Sequence, residues 1–185
     1  MVPTQDAVVV ASPREDVQSS ITSVLRDHWP VRTATTVDRA IDSLDDAVSV
    51  LVIDQAFGDG LSACFDRLDD DRFLQVLVLK RVDAPAVERA DAISDSDRLD
   101  GHVRETVARL NRRARYDRLL TRFYELARTR AGDERSDRSA PTETELATLK
   151  RELDDLVARL DDHDAFEMAL TRGRPDDRGS SEKTY

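Results

Sequence analysis

The chain has 185 residues, enough for one compact domain and an appendage but tight for two full domains. Its 38 acidic and 28 basic side chains leave a formal net charge of −10, which repels phosphate backbones and anionic lipid, so nucleic acid and membrane are not expected partners. The single cysteine, Cys64, excludes an internal disulfide framework and a cysteine-rich zinc site, and the opening MVPTQDAVVV lacks the basic region and apolar length of a signal peptide or membrane span, so a cytoplasmic location is expected.

From Ala7 to about Gly101, short β-branched or leucine-rich runs alternate with amphipathic segments, the pattern of a parallel sheet covered by helices. The first strand is expected at AVVVA, Ala7 to Ala11. The segment from Asp16 to Asp27 then places Val17, Ile21, Val24 and Leu25 on one helical face, with Trp29 packing at its exit. A second strand, VRTAT, opens at Val31, and TTVDRAIDSL follows as a helix through Val37, Ala40, Ile41 and Leu44. VSVLVI is apolar on both faces and belongs in the middle of the sheet. It ends on Asp54, ahead of a loop containing glycine, after which LSACFDRL forms a helix with Leu61, Phe65 and Leu68 inward. The fourth strand is FLQVLVLK, Phe73 to Lys80. The pattern then thins to a short helical stretch around Ala84 to Ala90 and a weak fifth strand at Ala92 and Ile93.

From Asp97 onward, Val103, Val107 and Leu110 mark a helix that Tyr116, Leu119, Leu120, Phe123 and Leu126 continue as far as Arg130. AGDERSDRSAP is a polar linker. Thr142 and Glu145 form a capping-box pattern, and the helix they open carries Leu146, Leu149, Leu153, Leu156 and Leu160 as a seam of two heptads. TRGRPDDRGSSEKTY is a polar tail, expected to be disordered.

Five alternating strand–helix units with an aspartate ending the third strand resemble the receiver domain of two-component response regulators. The stretch RRARYDRLLTRFYELARTRA, Arg112 to Ala131, with Tyr116, Asp117, Leu120, Phe123, Leu126 and Ala127, looks like the HalX domain, a helical module attached to receivers in salt-loving archaea. The composition is similar to that of proteins from the same source: 28 Asp and 10 Glu stand against 25 Arg and only 3 Lys. Together these resemblances imply an α/β fold, a flavodoxin-like doubly wound parallel sheet over residues 1–111. A C-terminal α-helical hairpin would follow over 112–170 and a tail over 171–185.

In receivers the strand-end aspartate takes a phosphoryl group from a histidine kinase, with magnesium held by an acidic pair just after the first strand. Asp54 holds the phosphoacceptor position, but VVVASPRED sets Ser12 and Pro13 where the acidic pair would stand. Glu15 and Asp16 follow, and a shifted loop would bring one of them round to replace the pair, but a helix starting at Asp16 is expected to direct both outward. Phe57-Gly58 replaces the family's Met-Pro, and Gly60 is nearer than its usual glycine. Lys80 replaces a small hydroxyl residue, and the lysine ending the fifth strand falls at about Ser96, with Asp97 in place of its proline. Lys80 is a weak candidate to supply the lost cation. The resemblance therefore implies a degenerate receiver that acts by protein contacts, in which Asp54 caps the following loop. No cofactor or catalytic residue is expected, and magnesium matters only if Asp54 is active. Two other readings stay open: a working phosphoacceptor at Asp54, and a coiled-coil scaffold that carries the receiver as a folded cap.

The remaining candidates have plainer readings. His28, His102 and His163 lie far apart, and His163 falls one step beyond the leucine seam, a rim position more than a metal ligand. Cys64 lies beside an inward helix face and reads as packing. Arg112, Arg113, Arg115, Arg118 and Arg122 are expected to form ion pairs with the acidic second helix of the hairpin and not to grip nucleic acid. The partners expected are proteins docking through the hairpin, including a second copy of the chain, with a histidine kinase possible only through the receiver.

Overall fold

The computed structural model describes residues 6–68, 73–80, 87, 89–95, 101–132 and 143–159. Within them, five runs rich in valine, leucine and isoleucine form one all-parallel sheet: β1 (Ala7–Ala11), β2 (Val31–Ala34), β3 (Val48–Asp54), β4 (Gln75–Lys80) and β5 (Ala92–Asp95). The strand order β2-β1-β3-β4-β5 is that of a flavodoxin-like, doubly wound α/β fold. All five residues of β1 and all seven of β3 are buried. Helices cover both faces of these central strands, which is why neither alternates between apolar and polar residues.

The sheet separates two apolar layers. On one face Val9, Leu51, Ile53 and Val78 pack with Ala40 of α2 (Val37–Asp42) and with Leu61, Cys64 and Phe65 of α3 (Asp59–Arg67). On the other, Val8, Val10, Val52, Leu77 and Leu79 pack with Ile21 and Leu25 of α1 (Glu15–Leu25) and with Val103, Val107 and Leu110 of α4 (His102–Gly132). Trp29 packs against this second layer beyond the end of α1, as its place in the sequence predicts. The Thr36 hydroxyl caps α2 by accepting the Arg39 N–H at 3.3 Å, satisfying one of the amides that a helix start leaves free.

Two features of the sheet are not evident from periodicity. Ala7 pairs with Val48 and Val8 with Val50, so Ser49 is an extra residue bulged out of register between β1 and β3. Its buried hydroxyl donates to the side-chain oxygen of Asn111 on α4, which is also buried. The thin fifth strand is real and extends to Asp95, paired with β4 from Leu77–Ala92 to Lys80–Asp95. Asp91 fixes where it starts: its N–H donates to the Val76 carbonyl at 2.9 Å, and its carboxylate accepts the Val76 N–H at 2.7 Å. The helical stretch expected around Ala84 to Ala90 lies outside the described residues except at Val87, Arg89 and Ala90, which are not helical.

The chain divides into two compact units between Thr121 and Arg122. In the second, α5 (Glu143–Val157) buries Leu149, Leu153 and Leu156. Leu146 is half-buried, while Thr142 and Leu160 fall outside the described residues. Arg122 donates to Glu145 at 2.8 Å within this unit. Among the described residues, no helix is long and apolar enough to cross a membrane.

Candidate functional site

In a parallel sheet every strand ends at the same edge, and the loops leaving neighbouring strands meet there. β1 and β3 are such neighbours, with Ala11 in register with Ile53, so the next residues, Ser12 and Asp54, stand side by side. Asp54 has no exposed surface. Burying a carboxylate this deeply is unfavourable unless its charge is offset and its lone pairs are occupied.

Both conditions are met. The Ser12 hydroxyl donates to Asp54 Oδ2 at 2.6 Å, and Arg14 Nε donates to the same oxygen at 3.0 Å. Arg14 Nη2 donates to Oδ1 at 3.2 Å, and the Ala56 N–H donates to Oδ1 at 2.9 Å. Each carboxylate oxygen thus accepts two hydrogen bonds, which uses the roughly four lone-pair sites a carboxylate offers. Arg14 engages through adjacent guanidinium nitrogens in a forked, charge-assisted geometry, the strongest arrangement open to this pair. Its backbone is held as well, since the Arg14 N–H donates to Ser12 Oγ at 3.0 Å.

Asp54 also shapes the chain that follows it. By accepting the Ala56 N–H it caps a short 3-10 turn, Gln55–Phe57, and Gly58 at φ +57° then swings the backbone into α3. An L residue rarely adopts that φ, so glycine is required there by the backbone itself. At Gly60 the reason is space: a Cβ would stand 3.2 Å from Val37 Cγ2 on α2.

The other residues singled out from the sequence are placed as follows. Glu15 and Asp16 lie in the exposed first turn of α1, where negative charge suits the helix dipole. Lys80 is half-buried at the end of β4, in register with Asp95, and Ser96 and Asp97 are outside the described residues. His28 packs against Trp29 with ring centroids 5.5 Å apart, His102 is exposed at the start of α4, and His163 is not described. Among the described residues, no three metal-ligating side chains gather. The arginine expectation needs one correction. Arg122 reaches the second helix through Glu145, but Arg118 turns to Asp6, ahead of β1, at 2.6 Å. The sequence could not distinguish these acids, because a long arginine side chain pairs with whichever carboxylate the fold brings near.

The residues around Asp54 do not fit magnesium. That ion takes hard oxygen ligands, but a guanidinium fills the place beside the carboxylate, and among the described residues Ser12 gives the one other side-chain oxygen bonded to Asp54. Arg14 is the member of this site that carries no signal of its own in the sequence, although it lies in VVVASPRED between Ser12 and the acids Glu15 and Asp16. The available signal was topological: β1 and β3 are adjacent and parallel, so a basic residue just past β1 lies within reach of a carboxylate ending β3.

Cys64 is buried, and burial pushes its thiol up from the usual range while Arg67 pulls it partly back. It should therefore stay protonated and shielded at neutral pH. A thiol-specific chromogenic reagent is expected to leave it unmodified in the folded protein and to react fully once denaturant is added; rapid reaction in the native state would contradict the packing described here.

No protein-family model matches the chain, and no curated protein matches it either.

Proposed function

We propose that this chain is a signal transduction protein of the receiver–HalX type, whose receiver works through protein contacts and not through a phosphorylation cycle. The observation that carries this reading is the closed state of Asp54, fully buried with both carboxylate oxygens held by Ser12, Arg14 and Ala56. Phosphoryl transfer to a carboxylate requires an oxygen free to approach phosphorus and a cation to offset the charge of the incoming group. Asp54 has no oxygen free, and its charge partner is a side chain of the same protein.

The fold supports the same reading in a coarser way. An aspartate ending the central strand of a sheet ordered β2-β1-β3-β4-β5 stands where a receiver carries its phosphoacceptor, and a helical region follows the sheet. Output is assigned to that helical region. In the second unit Tyr124 is 60% exposed and Val157 45% exposed, apolar side chains that a docking partner would cover. A second copy of the chain or another helical protein is the partner class proposed.

Incubation with acetyl phosphate and magnesium, followed by intact-mass measurement, tests the central statement. The wild-type protein is expected to gain no phosphoryl mass. A phosphoryl adduct that Asp54→Asn removes would establish Asp54 as a working phosphoacceptor and overturn the proposal.

A further inference from the structure

We propose that Arg14 is the resident cation of the Asp54 site: its guanidinium holds the place that a divalent ion would otherwise take beside the buried carboxylate, and so closes the site to metal. This deepens the reading above and rests on it only for identifying the strand end as a cation position.

Several observations converge on Arg14. It pairs with Asp54 through two nitrogens, one to each carboxylate oxygen, at 3.0 and 3.2 Å. Asp54 is completely buried, whereas the Arg14 side chain remains 32% exposed. The Arg14 side chain thus reaches from the buried carboxylate to solvent.

Its position along the chain is also telling. Arg14 is the N-cap residue of α1, in an extended conformation, with no side-chain cap bond to the helix. Residues with a short hydrogen-bonding side chain are preferred there, and a cation at a helix N-terminus opposes the helix dipole. Arginine gains nothing locally at this place. Its gain comes from a carboxylate 40 residues away, and Ser12 prepares it by accepting the Arg14 N–H while donating to the same carboxylate. One cation and one anion then close to neutrality, so the buried carboxylate has no uncompensated charge of its own to attract a divalent ion.

The pairing makes the carboxylate inert toward metal in the wild type and responsive once Arg14 is removed. A buried carboxylate stripped of its partner recruits a cation, with Ser12 Oγ as a second oxygen and the vacated arginine channel as the way in.

The test is a manganese titration of the full chain, read by the electron paramagnetic resonance of free Mn2+ and by the thermal midpoint. Wild type, Arg14→Ala, Arg14→Gln, Asp54→Asn and the double variant Arg14→Ala/Asp54→Asn are compared. Arg14→Ala and Arg14→Gln are expected to bind Mn2+ about tenfold more tightly than wild type, or better, and to melt at higher temperature as Mn2+ is added. The double variant should lose both effects, and Asp54→Asn alone should respond as wild type does. If Arg14→Ala does not fold, Arg14→Gln, which keeps a donor without the charge, decides the question. Folded Arg14 variants that respond to Mn2+ no more than wild type would overturn the proposal, as would wild-type binding that Asp54→Asn abolishes. Phosphorylation and partner recovery of the wild type test the function proposed above, whereas the response of the Arg14 variants to Mn2+ tests this inference separately.

Discussion

Asp54→Ala is expected to destabilise the first unit by about 3–5 kcal/mol, the loss typical when one partner of a buried ion pair is removed. The alanine would strand an arginine side chain that is two-thirds buried, together with the Ala56 N–H, and would leave the Ser12 hydroxyl only its longer bond to the Arg14 carbonyl at 3.2 Å. Unfolding of buried donors into water becomes favourable because water can satisfy them and an alanine cannot. Ser12→Ala is expected to be milder, about 1 kcal/mol, because the forked arginine still offsets the charge. Removing both members, Asp54→Ala with Arg14→Ala, should recover part of the single-variant loss by eliminating the stranded cation. Trp29 is the chain's only tryptophan and packs in the first unit, so its fluorescence across a denaturant series at fixed salt reports the stability of the wild type and of the three variants. A loss below about 1 kcal/mol for Asp54→Ala would place the pair among weak, solvent-exposed ion pairs, against the burial described here.

Replacing Leu153 and Leu156 together by aspartate is expected to have the largest effect on the second unit. Both side chains are less than a tenth exposed, and each substitution removes a buried isobutyl group and installs a charge where apolar surface was. Leucine deletion in a core alone costs about 2–5 kcal/mol per site, and the two charges add to that. The α5 helix should lose its helical signal in circular dichroism, while the Trp29 emission of the first unit remains native. Association through the helical region should disappear with it, so light scattering is expected to show a larger species for wild type at high salt and a monomer for the double variant. A monomeric wild type whose partners are all retained by the double variant would show that output lies elsewhere.

Much of the first unit is legible in the sequence because the signal there is local. VVV in β1 and VSVLVI in β3 are unbroken apolar runs because helices cover both of their faces, and that composition alone places them at the centre of a parallel sheet. Val17, Ile21 and Leu25 recur at helical spacing and are the three residues that α1 buries. Asp54 ends its strand in the sequence as it does in space. The weak fifth strand shows where local signal runs out: Ala-Ile-Ser-Asp has little strand character of its own and takes its order from pairing with β4 and from the clamp between Asp91 and Val76.

The alternation of strands and helices, and a carboxylate ending the third strand, are written in the sequence. Which charges pair with one another is settled only in the folded chain. Arg14 is one of 25 arginines, and it stands out as the one that forks onto Asp54 only once β1 and β3 are known to be parallel neighbours. Arg118 likewise reaches back 112 residues to Asp6, and Ser49 is recognisable as a bulge only once β1 and β3 are in register. Periodicity is written into the chain because backbone geometry repeats every two or 3.6 residues. Ion-pair partners are not, because a flexible side chain can reach any carboxylate within several ångströms, and only the folded sheet brings residues 14 and 54 to the same edge.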